Sequence, residues 1–249
     1  MTEFILKLIG IIIGSYIIGS INFAVLVSKI FRTDIRTKGS GNPGTVNMLR
    51  SVGLRAAALT LSFDVLKAAL PALGAYFLMR GADAYFIPPV SGAPGILGYY
   101  IGGVSKACMF ISGFFVILGH VFPLFMRFKG GKGAASTIGV FLAADPVIGF
   151  AVFVIAVGYL LIGKYGSVTS FIFTISMTVI EVVFAEVFKD NAVGIAAPLC
   201  ICALVLFAHR SNIKRLIKGT ETDTNLMTKF REVHARRTAA KNSEPKDPE

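Results

Sequence analysis

Three polar stretches hold most of the side chains able to do chemistry: Arg36 to Arg50 (RTKGSGNPGTVNMLR), Phe128 to Ser136 (FKGGKGAAS) and His209 to Glu221 (HRSNIKRLIKGTE). In the first, Gly39, Gly41 and Gly44 leave backbone N–H groups open to an anion, while Ser40, Asn42, Thr45 and Asn47 add neutral hydrogen-bonding groups. Arg50 can grip a phosphate through two parallel bonds. The Gly-x-Gly-x-x-Gly spacing, with Asp64 further on, imitates a dinucleotide turn, but that fingerprint needs a preceding strand and a βαβ unit, and an apolar helical run precedes it here. In the second stretch Lys132 lies among Gly130, Gly131 and Gly133 at the start of a short apolar segment, with Ser136 one turn in. It is not a Walker A loop, because Lys132 is followed by Gly. A helix opening on three glycines nevertheless offers free N–H groups and a favourable dipole to an anion, more than a lysine anchoring a membrane edge requires. The third stretch sets His209 and Asn212 three apart, on one face if the helix continues. Its Arg210, Lys214, Arg215 and Lys218 suit either a bound phosphate or a fringe of lipid headgroups. His209 taken alone fits a structural role. The chemistry these residue types share is the binding of phosphorylated molecules and the stabilisation of negative charge.

The elements that must carry these stretches are membrane helices. Of 249 residues, 54% are hydrophobic and 16% charged, against about a quarter charged in an ordinary soluble domain. Apolar runs lie at about 4–27, 56–79, 106–126, 134–144, 146–162, 167–188 and 192–208. The fold expected is an all-α integral membrane protein with seven transmembrane helices. One is half-length: residues 134–144 make about 16 Å of helix, short of the ~30 Å hydrocarbon layer. Asp145-Pro146 ends it, since Pro opens a helix and breaks one that continues. Lys and Arg favour the cytoplasmic side. Seven crossings with the N-terminus outside leave six basic residues in 29–55, three in 127–133, Lys164, and ten from Arg210 onward on the inside. Only Lys7, Arg80, Lys106 and Lys189 then lie outside. All three polar stretches fall on this cytoplasmic face, with the C-terminus. A cleavable signal peptide fits the first run poorly, because the run is long and its flank carries both Lys7 and Glu3.

Residues 1–221 read as the membrane domain and 222–249 as a polar cytoplasmic tail, partly disordered. Residues 81–105, rich in Gly and Pro, read as an outer loop against the interface. Asp64 and Lys67, three apart within an apolar run, are expected to pair, as a lone charge there costs several kcal/mol. Glu181 has no obvious partner in sequence. His120 reads as a packing or hydrogen-bonding residue, and Cys108, Cys200 and Cys202 as small residues of the apolar phase. No metal site and no cofactor are expected. The basic excess of 25 Lys and Arg over 14 Asp and Glu sits in blocks between apolar runs, which points to a bilayer and not to nucleic acid.

The motifs resemble those of the bacterial acyl-phosphate:glycerol-3-phosphate acyltransferase (PlsY) family from about Gly19 to Glu221. Gly39 to Asn47 is similar to G-S-G-N-x-G-A-T-N, Gly119 to Gly133 to G-H-x-x-P-x-x-x-x-F-K-G-G-K-G, and His209 to Glu221 to H-R-x-N-I-x-R-L-x-x-G-x-E. Thr45-Val46 stands where the family has Ala-Thr, and Ala134-Ala135-Ser136 where it has Val-Ala-Thr. The resemblance implies transfer of a fatty acyl group from acyl phosphate to the 1-hydroxyl of glycerol 3-phosphate, giving lysophosphatidic acid and phosphate, in the bacterial inner membrane with the site on the cytoplasmic side. It implies Ser40, Arg50, Lys132, Ser167, His209 and Asn212 as catalytic residues. Gly39, Gly41, Asn42, Gly44, Thr45, Asn47, Gly131, Gly133, Ser136, Arg210 and Glu221 would bind substrate. The partners implied are membrane lipid, the two substrates and the enzyme supplying acyl phosphate. A lipid or organophosphate transporter is the main rival, but no inverted repeat is visible and the polar residues gather at one face. No H-x-x-x-x-D acyltransferase motif follows His120, His209 or His234.

Overall fold

The computed structural model describes residues 1–82, 103–187 and 192–224. Most of the expected 81–105 loop and the tail from residue 225 therefore lie outside the described residues. The described chain is helical: α1 (Thr2–Gly19), α2 (Phe23–Ile30), α3 (Thr45–Ser51), α4 (Leu54–Met79), α5 (Val104–Val121), α6 (Ala134–Ala144), α7 (Pro146–Ile162), α8 (Gly166–Val187), α9 (Ala192–Ala208) and α10 (Arg210–Ile217), with short 3-10 turns between. No strand occurs among the described residues.

Four helical stretches are long and apolar enough to cross a membrane: Thr2–Ile30, Leu54–Ala82, Val104–Met126 and Gly166–Glu186. The α9–α10 pair, bent by 61°, makes a fifth if it is one span. α6 and α7 are shorter apolar helices. Every apolar run in the sequence thus becomes helix, but the lengths support four or five crossings where seven were expected. Large side chains such as Leu6, Phe77, Phe150 and Ile155 are exposed on the outside of the bundle, the arrangement expected of surfaces facing lipid.

The first run is broken where continuity was expected. Asn22 accepts a bond from the Val25 N–H at 3.0 Å and so starts α2 afresh, and the carbonyl of Ile21 at the break receives Lys67 Nζ at 2.8 Å. α4, α5 and α6 pack at the centre around Phe110, Ile117, Val140, Phe141 and Phe173. Close helix approach depends on missing side chains: a Cβ at Gly139 would strike the Val65 backbone of α4, and one at Gly19, at the end of α1, the Val116 backbone of α5. α6 ends at Asp145 and α7 begins with Pro146, as the sequence indicates.

Two buried charge clusters lie within the bundle. Lys67 Nζ is 2.8 Å from Asp64 Oδ1, the pairing expected from their spacing. In the second, Lys106 is buried in the first turn of α5, 3.0 Å from Glu181 Oε2 and 3.4 Å from Asp145 Oδ2. Glu181 therefore has a partner, contributed by a helix distant in sequence.

Candidate active site

The 38–44 loop is built around the side chain of Asn47. Its amide nitrogen donates to the carbonyls of Lys38 (3.0 Å) and Ile35 (3.3 Å), and its oxygen accepts from the Ser40 N–H (3.1 Å). Asn47 lines the cavity, yet its hydrogen-bonding atoms hold the loop. Gly39, at φ 55°, has no room for a side chain, because a Cβ would meet the Asn47 oxygen. This loop leads into α3, which carries Arg50 half-buried toward the same space as Ser40, Asn42, Gly44 and Thr45. Burial lowers the pKa of the Arg50 guanidinium, an effect opposed by Glu221 and Asp223.

The second loop folds back on the end of α5. Gly130 N–H donates to the Val121 carbonyl (3.2 Å) and Gly131 N–H to that of His120 (3.1 Å), and Gly133 turns at φ 80° into α6. Lys132 is thereby held at the helix start, pointing across to α10, where its Nζ donates to Asn212 Oδ1 at 2.5 Å. Burial, reinforced by the positive Arg215, pulls the Lys132 ammonium down to about 8.

His209 sits at the bend between α9 and α10. Its Nδ1 is 2.9 Å from the Val205 carbonyl, which can only accept, so Nδ1 carries a proton. In the neutral ring Nε2 is then the acceptor. The Phe171 ring fixes the imidazole edge-to-face at 5.2 Å. Glu221 closes the cluster: Oε1 accepts from Asn212 Nδ2 (2.6 Å) and Ser167 Oγ (3.1 Å), and Oε2 from Arg215 Nε (2.9 Å). A single carboxylate thus ties α8 to α10, and Asn212 links it onward to Lys132.

All six residues expected to be catalytic, Ser40, Arg50, Lys132, Ser167, His209 and Asn212, line one cavity. Gly133 and Glu221 line it as well. Including its open mouth the cavity holds about 1200 Å³, above the ~300–1000 Å³ of common small-molecule pockets. One end is polar, and the other runs between Ile138, Phe153, Val157, Leu160 and Phe173. A second cavity shares Ser40, Asn42, Lys132 and Arg215 and adds Arg36, Gly41 and Lys129. At the departure from the family pattern, Thr45 and Val46 both line the cavity, and Val46 also packs against Gly166. Among the described residues no three His, Cys, Asp or Glu side chains cluster to hold a metal ion.

Five expected substrate-binding residues lie off the lining of this cavity, Gly41 among them, which lines the second cavity instead. Arg210 is exposed and turns back, donating to the Phe207 carbonyl at 3.1 Å with its guanidinium 4.5 Å from the Phe207 ring, because the bend at His209 carries it away. Ser136 is fully buried on the inner face of α6. Gly39 makes room for Asn47, and Gly131 for the ring of His120. Conversely, Arg215, Asp64 and His120 line the cavity without having been expected there. Arg215 was legible, being three residues beyond Asn212 and so on its helical face. His120 falls within the Gly119–Gly133 motif and Asp64 was expected to pair with Lys67, but their place at the cavity depends on how α4 and α5 pack.

Residues 9–219 match the family model described as glycerol-3-phosphate acyltransferase. A glycerol-3-phosphate acyltransferase of Thermoanaerobacter pseudethanolicus is 34% identical over 218 residues, 87% of this chain and 96% of that protein. Glycerol-3-phosphate acyltransferase 2 of Bacillus anthracis is 36% identical over 214 residues, 84% of this chain and 95% of its own. The crystal structure of PlsY (YgiH), an integral membrane glycerol 3-phosphate acyltransferase, in its glycerol 3-phosphate form superposes with a TM-score of 0.68 at 29% identity, covering 87% of this chain and 94% of that one. Its lysophosphatidic acid form gives 0.67 at 28% identity, with the same coverage. With its motifs gathered at one cavity and its full membrane core matched, the chain belongs to the glycerol-3-phosphate acyltransferase family.

Proposed function

We propose that this protein transfers a fatty acyl group from an acyl phosphate to the 1-hydroxyl of glycerol 3-phosphate, releasing lysophosphatidic acid and inorganic phosphate. The observation that carries this reading is the cavity itself: Arg50, Lys132 and Arg215, from three separate segments, converge at one end, and an apolar wall forms the other. Two anionic substrates account for the cations, and a long acyl chain for the wall. An acyl phosphate is an activated mixed anhydride, so the protein needs to position two substrates and stabilise charge. The glycerol hydroxyl oxygen bonds to the acyl carbon, and the bond from that carbon to the phosphate oxygen breaks. The departing phosphate takes the hydroxyl proton, so that no protein nucleophile is required. Lys132, Arg50 and the N-terminus of α6 hold the phosphoryl group. His209, through Nε2, and Asn212 orient the glycerol phosphate, with Ser40 and Ser167 as further polar contacts.

The same reading sets residues 1–221 as the catalytic domain in a bacterial inner membrane, with seven crossings, the N-terminus outside and the cavity open to the cytoplasm. An enzyme making acyl phosphate would supply the donor. Purified protein given palmitoyl phosphate and labelled glycerol 3-phosphate, without coenzyme A or nucleotide, is expected to form lysophosphatidic acid and an equal amount of phosphate. No product under these conditions, with product appearing from a thioester donor, would overturn the assignment of the donor.

A further inference from the structure

The Lys67 ammonium, which can only donate, is hydrogen-bonded to the Ile21 carbonyl and to His120 Nδ1, each at 2.8 Å, and lies 2.8 Å from Asp64 Oδ1 as an ion pair. Nδ1 of His120 therefore accepts and carries no proton, which leaves the proton of the neutral ring on Nε2. That nitrogen faces the seam between the two glycine-rich loops. A Cβ on Gly131 would fall on it, and the Pro43 carbonyl of the first loop is the next neighbour of that position. His120 also lines the cavity, and among the described residues no hydrogen bond engages its Nε2. The arrangement leaves one N–H donor at the junction of both phosphate-cradling loops, its direction set from behind by a buried ion pair.

We propose that His120 is a further substrate-binding residue, donating from Nε2–H to an anionic oxygen of the phosphorylated substrate at this seam. Asp64 and Lys67 are positioning residues that hold its tautomer. The inference rests on the acyl-phosphate reading above and adds to it a second imidazole lining the same cavity as His209. The two imidazoles are set in opposite senses: His209 has its proton on Nδ1 and offers an acceptor, whereas His120 has its proton on Nε2 and offers a donor. Lys67 itself is buried and its charge is paired with Asp64, so it is not the anion's ligand. Gly131 acquires a reason as well, since any larger residue would displace the ring.

Full-length protein labelled with 15N-histidine, in lipid nanodiscs, gives a direct test. The His120 ring is expected to show a bare Nδ1 and a protonated Nε2, and the Nε2–H resonance to shift on adding inorganic phosphate. His120→Phe should lower kcat/KM about 100-fold, in line with the loss of one preorganised donor. His120→Gln, which restores an N–H near the same place, should recover to within about tenfold of the unaltered protein. The opposite tautomer, a resonance indifferent to phosphate, or a folded His120→Phe variant as active as its parent would each overturn the proposal. The spectrum is read on the unaltered chain, so it decides even if His120→Phe fails to fold. Absence of acyl-phosphate turnover in the unaltered chain would instead sink the parent reading.

Discussion

The two ends of α5 solve opposite problems of charge. Beyond its C-terminal end, Lys132, Arg50 and Arg215 surround a cavity in which Glu221 is the carboxylate bound to Arg215, so that cations predominate. Fifteen residues before that end, about 22 Å along the helix, Lys106 lies between Asp145 and Glu181. The first group opens onto a space that an anion can enter, whereas the second is buried. A cationic surplus beside a cavity is a binding device, completed by its ligand. The buried Lys106 cluster ties α5, the α6–α7 junction and α8 together, and breaking it should damage the fold before the chemistry.

Lys132→Ala and Lys106→Met separate these roles most sharply. Lys132→Ala should lower kcat/KM about 1000-fold, roughly 4 kcal/mol of transition-state stabilisation, and leave thermal unfolding in micelles unchanged. His209→Gln should be milder, since the proton of the reaction goes to phosphate. Lys106→Met should do the reverse. It leaves two carboxylates buried without their cation, which costs about 3–5 kcal/mol of stability, while the fraction still folded keeps its kcat. If Lys106→Met abolished turnover with no change in melting, the distinction between the two ends would fail.

The cavity end was largely legible from sequence because its residues announce themselves locally. Glycines beside Lys132, an 11-residue helix ended by Asp145-Pro146, and His209 three before Asn212 are short-range signals. The far end was hidden, because Lys106, Asp145 and Glu181 lie on different helical segments and nothing in apolar periodicity says which residues meet across a bundle. Ser136 and Arg210 show the same limit at close range: one faces the core of the α6 packing, and the other is swung aside by the bend of 61°. Lengths alone also leave α6 and α7 undecided as crossings, though their apolar composition made them visible as helices.

Glu221→Ala sharpens the comparison within the cavity. It releases Ser167, Asn212 and Arg215 together, and Asn212 is the contact of Lys132. Misplacing such groups should lower kcat about 100-fold, more than it raises KM. Glu221→Gln, which keeps an acceptor for Ser167, should recover part of the loss. Alkaline pH reaches the same network through Lys132, whose charge is present below about 8 and lost above it. The kcat/KM of the free enzyme should therefore fall about tenfold per pH unit above 8, and the limb in kcat should lie higher because bound phosphate favours the ammonium. Lys132→Arg should remove that limb, the guanidinium staying charged, while still losing activity because the planar fork cannot reproduce the contact with Asn212. Full activity in Lys132→Arg would show that charge alone suffices and that the start of α6 contributes no geometry.

The smallest effect is expected from Glu181→Gln. Removing the lysine strips both carboxylates of their cation, but removing one carboxylate leaves Lys106 with Asp145 and keeps an amide oxygen to accept from the ammonium. The cluster then holds one charge of each sign. Stability should change by less than about 1 kcal/mol in either direction, because relief of the second buried charge offsets the weaker bond to a neutral acceptor. Kinetics at the cavity should not move. A large drop in melting temperature would mean that Lys106 depends on both carboxylates at once. A drop in kcat with the fold intact would mean that the two ends of α5 are coupled, and that the far cluster sets the position of α6, whose first turn carries Lys132.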